Sequence, residues 1–162
     1  MIDRELIAFV IKAKKKTYAS VSAKETILPD GGRKLIYEDD SYYYEDIYYG
    51  FLEFYGREVA FKKIPHPRKW IMQYAGIIPQ KVRNIVDPRE VYADLKTALR
   101  VIHPNRPFRG PRQLTCEKFE YISECTGEPD FFFGSEAMRN TDTEPLLVIY
   151  LGSFHGIIQE PV

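Results

Sequence analysis

Apolar residues recur at helical spacing near the start of the chain, where Leu6, Phe9, Val10 and Ala13 share one stripe behind Asp3, a residue suited to capping. An amphipathic helix over 3–16 follows. Lys12, Lys14, Lys15 and Lys16 crowd its last turns, where cations suit the negative end of the helix dipole. They read as a solvated basic end, with an anion site as the alternative. The polar stretch 21–33, broken by Pro29-Asp30-Gly31-Gly32, reads as a turn-rich loop. Strands are expected at 34–38, 42–49, 57–63 and 69–77, and the short turns between them predict an antiparallel meander. Asp87-Pro88-Arg89-Glu90 then opens a second helix: Asp87 caps, Pro88 suits the first helical position and Glu90 completes a capping box. Val91, Leu95, Ala98, Leu99 and Ile102 form its stripe, and Pro104 ends it. Three more strands are expected at 114–124, 131–133 and 146–151.

The order α-ββββ-α-βββ excludes a doubly wound parallel sheet, which needs strands and helices to alternate. The expectation is one α+β domain spanning 1–162, a curved antiparallel sheet of about seven strands with two helices packed on one face.

Period-two spacing sorts the meander's side chains into two faces. Tyr43, Ile47, Val59, Phe61, Ile71 and Ala75 make the more apolar one, which the helices should cover. The other carries Tyr44, Asp46, Tyr48, Glu58, Trp70, Met72 and Tyr74, rings with two carboxylates, which is the composition of a ligand pocket. Cross-strand packing of rings whose hydroxyls reach solvent is the plainer alternative. Among rings, reduced solvation would raise the pKa values of Asp46 and Glu58 and favour a cationic or hydrogen-bond-donating ligand. If Arg57 or Arg68 folded over the site, a neutral flat molecule would be preferred instead.

Aromatic content is high at 14%, with 12 Tyr and 10 Phe, and a pocket or an interface would account for it. Charge is balanced, 23 Lys and Arg against 23 Asp and Glu, which argues against direct nucleic-acid binding. No apolar run approaches the ~18 residues of a membrane span, and residues 1–5 lack the regions of a signal peptide. A soluble, cytoplasmic chain with no membrane partner is expected. Cys116 and Cys125 fit free thiols, since a disulfide framework needs more cysteines.

Two carboxylates on one face also admit general acid/base catalysis by Asp46 or Glu58, unless Arg57, Arg68 or Lys69 simply pairs with them. No nucleophile elbow and no phosphate or dinucleotide loop occurs, so no cofactor is implied. His66, His103 and His155 lie far apart and imply no metal. The loop 105–112 sets Arg106, Arg109 and Arg112 around Phe108, either a candidate anion-binding loop or a surface connection. A third reading has exposed tyrosine-rich strands forming a homodimer surface.

The run 6–19, with Tyr44-Glu45-Asp46, Phe54-Tyr55-Gly56-Arg57-Glu58-Val59, Trp70-Ile71-Met72-Gln73-Tyr74-Ala75-Gly76 and Phe108-Arg109-Gly110-Pro111, resembles an uncharacterised prokaryotic family of domains of unknown function. Its members stand alone or follow an Xre-type helix-turn-helix domain. The resemblance implies a sensory module that binds a small-molecule ligand, and it carries over no catalytic residue. The polar region 128–144 departs from the family pattern, and 141–145 reads as a lineage-specific loop.

Overall fold

Helix α1 (Arg4–Lys16) begins where Asp3 accepts a hydrogen bond from Leu6 N at 3.0 Å. Helix α2 (Pro88–Arg100) begins where Asp87 accepts one from Arg89 N at 2.8 Å. Both starts satisfy an amide that a helix would otherwise leave unpaired. Glu90 does not complete a box; it accepts from Lys118 Nζ at 2.6 Å. The computed structural model describes residues 3–20, 22–142 and 147–161.

Between the helices run β1 (Thr26–Ile27), β2 (Arg33–Glu38), β3 (Tyr42–Gly50), β4 (Glu53–Lys62) and β5 (Lys69–Ile77). After α2 come β6 (Gln113–Thr115), β7 (Glu120–Glu128), β8 (Phe131–Asn140) and β9 (Leu147–Gln159). They form one open sheet in the order β1-β2-β3-β4-β5-β9-β8-β7-β6, antiparallel throughout. The last strand returns to the middle and pairs with β5, joining the meander before α2 to the hairpins after it.

The strand count among the described residues is therefore nine, not about seven, and the chain order is α, five strands, α, four strands. Stretch 21–33 is not all loop, because residues 26 and 27 pair with β2. The expected strand 114–124 is broken by a turn in which Asp94 Oδ2 accepts from both Lys118 N and Phe119 N at 2.9 Å. The region 128–144 is largely β8, and β9 runs on to Gln159 through Gly152 and Gly156. Those glycines look like breakers in sequence, yet a Cβ on Gly156 would stand 2.4 Å from Phe132 Cζ, so the strand needs glycine to admit that ring. Residues 143–146, which include part of the expected loop and the first residue of the expected last strand, lie outside the described residues.

Parity along the strands holds, but the helices cover the face opposite to the one expected. Leu6, Phe9, Val10 and Ala13 of α1 pack with Tyr42, Tyr44, Ala60, Trp70 and Met72. Val91, Leu95, Ala98 and Leu99 of α2 pack with Tyr121, Met138, Ile149 and Tyr150. Trp70, Tyr44, Tyr121, Tyr150 and Phe132, among the largest fully buried side chains, all lie on the covered face, where their rings lose most contact with water. Val59, Phe61 and Ile71 stay half-buried on the uncovered face. No helix among the described residues is long and apolar enough to cross a membrane.

Candidate functional site

Asp46 pairs with Glu58 across β3 and β4, and Glu58 pairs with Met72 of β5, so the two carboxylates are direct cross-strand neighbours beneath the helices. They are 1% and 3% exposed. Like charges at that spacing, removed from water, cannot both ionise cheaply. Two buried cations answer them. Lys14 Nζ lies 2.6 Å from Glu58 Oε2, donates to Phe108 O at 2.7 Å and stands 5.0 Å from the centre of the Trp70 ring. Arg109 holds Glu136 through Nη2 at 2.7 Å and Nε at 3.2 Å, with Nη1 4.0 Å from Glu58 Oε1.

Tyr74 Oη donates to Asp46 Oδ1 at 2.7 Å. Burial, and then the charge of Glu58, push Asp46 up to about 8, so it is mainly protonated at neutral pH. Burial also works against charge on Lys14, whose pKa falls although Glu58 opposes the fall. At Glu136 burial is outweighed by the Arg109 charge and by hydrogen bonds from Tyr121 and Tyr150, at 2.7 and 2.8 Å, and the carboxyl stays below its ordinary range. The cluster thus sets two basic side chains, Lys14 and Arg109, against three carboxyls, Asp46, Glu58 and Glu136, and such pairing is what lets so many ionisable groups sit inside.

Above this cluster lies a cavity of about 280 Å³. Tyr18, Tyr48, Phe51, Phe54, Tyr74 and Tyr92 supply its rings, and Glu25, Arg33, Lys96 and Arg109 its charged groups. A second space of about 20 Å³, room for about one water, touches Lys14, Tyr44 and Glu58. Tyr18 and Arg109 line both, so the two spaces adjoin.

All seven residues expected to share a face do so, but they are divided by depth. Tyr48 and Tyr74 line the larger cavity, Tyr44 and Glu58 the small one, Asp46 lies beneath Tyr74, and Trp70 and Met72 are fully buried near Lys14. Arg57 and Arg68 do not fold over the carboxylates; they pair with Glu45 and Glu160. Nor do the three loop arginines converge. Arg106 donates to Ser123 O at 2.8 Å, Arg112 is exposed, and only Arg109 reaches the cluster.

Lys14 and Glu136 escaped the sequence reading. A signal for Lys14 exists, since it follows Ile7 and Val10 by seven and four residues and so continues the buried stripe. Glu136 alternates with Phe132, Gly134 and Met138 on the inner face of β8, a charge at a core position.

The sequence signature of a domain of unknown function, DUF5680, matches residues 46–158. No curated protein and no solved structure matches the chain.

Proposed function

The chain belongs to the DUF5680 family of domains of unknown function, and from that premise we propose that it is a non-catalytic binding module for a small, flat ligand. The observation that supports this reading is the 280 Å³ cavity, whose six rings surround a space continuous with the Arg109 guanidinium. Planar walls with a few fixed polar groups are the composition of small-molecule sites. Tyr48 and Tyr74 contact the ligand in this proposal. Tyr44, Asp46, Glu58, Trp70 and Met72 support them from below.

The rival reading, acid/base catalysis by Asp46 or Glu58, meets a geometric obstacle. A general acid must come within hydrogen-bond reach of its substrate. Asp46 lines neither cavity, and Glu58 lines only the space of about 20 Å³.

A thermal-shift screen of small aromatic compounds against the wild type and Tyr48→Ala tests the binding reading. Compounds that stabilise the wild type and lose that effect in the variant support it. Wild-type binders that ignore the substitution, or an absence of binders, overturn it.

A further inference from the structure

The charges around the same cavity narrow the ligand further. Among its lining side chains are three cations, Arg33, Lys96 and Arg109, and one carboxylate, Glu25. Glu25 is already engaged, by Arg33 at 2.8 Å and by the Tyr48 hydroxyl. Arg109 spends Nε and Nη2 on Glu136, while Nη1 lies beyond hydrogen-bond distance of Glu58 at 4.0 Å. Lys96 Nζ sits 5.0 Å from the centre of the Tyr18 ring and has no carboxylate within ion-pair distance among the described residues, although its charge helps to lower the pKa of Glu25 from further off.

The same contacts bear on the opposite possibility. A cage of rings can hold a cation over its ring faces. Here the protein's own cations stand on two of those rings, Arg109 over Tyr74 and Lys96 over Tyr18, each at 5.0 Å. A cationic ligand would meet like charge at both places, whereas an anionic group would meet the half-buried Lys96 and the Arg109 guanidinium, whose Nη1 has only the 4.0 Å contact with Glu58.

Resting on the binding reading above, we infer that the ligand is a planar aromatic anion, its ring held among Tyr18, Tyr48, Phe54, Tyr74 and Tyr92 and its negative group held by Lys96 and by Arg109 Nη1. A carboxylate suits the pair of donors, because charge-assisted hydrogen bonds to an oxyanion are the strong ones. The volume of about 280 Å³ suits one or two fused rings.

The test uses matched probes, benzoate, 2-naphthoate and indole-3-carboxylate with their carboxamides, titrated by calorimetry into wild type, Lys96→Gln and Tyr48→Ala. The inference expects at least one acid to bind more tightly than its amide. Loss of the Lys96 charge should then weaken that acid roughly tenfold, the scale of a hydrogen bond to a charged group, and leave the amide unchanged. Tyr48→Ala should weaken both. Amides that equal or exceed the acids, with binding still sensitive to Tyr48→Ala, overturn the anionic class and leave the binding reading standing. If no probe binds, or if Tyr48→Ala is without effect on those that do, both fall together.

Discussion

Asp46 faces Glu58, Tyr74, Lys14 and Arg109, and its raised pKa makes it a linkage between pH and stability. A carboxyl that titrates near 4 in the unfolded chain and at about 8 in the folded one holds its proton more tightly when folded. Its contribution is fully present below about pH 4 and is lost as pH rises through about 8. Glu136 works the other way, because its depressed pKa gives stability that disappears in acid. The Asp46 part is isolated by Asp46→Asn, which keeps an oxygen for the Tyr74 hydroxyl and removes the titration. Between pH 5 and pH 8 the wild type should lose stability relative to this variant in urea unfolding. Parallel curves would show that Asp46 does not titrate there. Cys116 is a second case at this scale. Burial, and then the charge of Asp94, push its thiol up to about 11, so alkylation of the native protein at pH 8 should be slow and should accelerate on unfolding.

At the scale of elements, α1 and α2 hold the sheet in different ways. Leu95 is fully buried on α2, and Leu95→Ala should cost ~2–5 kcal/mol, the usual loss for such a truncation. A loss under ~0.5 kcal/mol would place that face of α2 in solvent. Helix α1 is anchored by an ion pair as well as by apolar contacts. Lys14→Met would leave Glu58 buried without its closest cation, at a cost of ~3–5 kcal/mol. Adding Glu58→Gln removes the stranded charge, so the double variant should be more stable than Lys14→Met alone. If the two costs merely add, the pair is not coupled. The helix starts, the buried stripes and the period-two faces of β3, β4 and β5 were legible because each depends on neighbours a few residues away. The ends of β8 and β9 were not, since Gly134, Gly152 and Gly156 mean a break in isolation and mean room for Phe154, Tyr150 and Phe132 once the strands are paired.

Over the whole molecule, the sheet has one face beneath two helices and one that no helix among the described residues covers. The uncovered face carries Tyr55, Phe131 and Phe133, at 61%, 66% and 55% exposure, so truncation there removes little buried area. Phe131→Ser with Phe133→Ser should change stability by under ~1 kcal/mol, read from the urea midpoint. A larger loss would mean that this face is covered in solution.

The sequence by itself determined the fold class, both helix starts and which side chains share a face, because local spacing and capping chemistry set these. It also placed Tyr44, Asp46, Tyr48, Glu58, Trp70, Met72 and Tyr74 on one face of the sheet, though not around one cavity. Which face the helices would choose, and which cations would meet the carboxylates, only the tertiary structure decided. Lys14 and Arg109 lie 44 and 51 residues from Glu58 along the chain, and Glu136 lies 78 residues away. Their meeting depends on β9 returning to β5 and on α1 crossing the meander. Lys14 and Glu136 each fall on a buried periodic position of their own element, but that spacing does not say which charges will meet, and it is burial beside Glu58, against the pull of Lys14 and Arg109, that keeps Asp46 protonated.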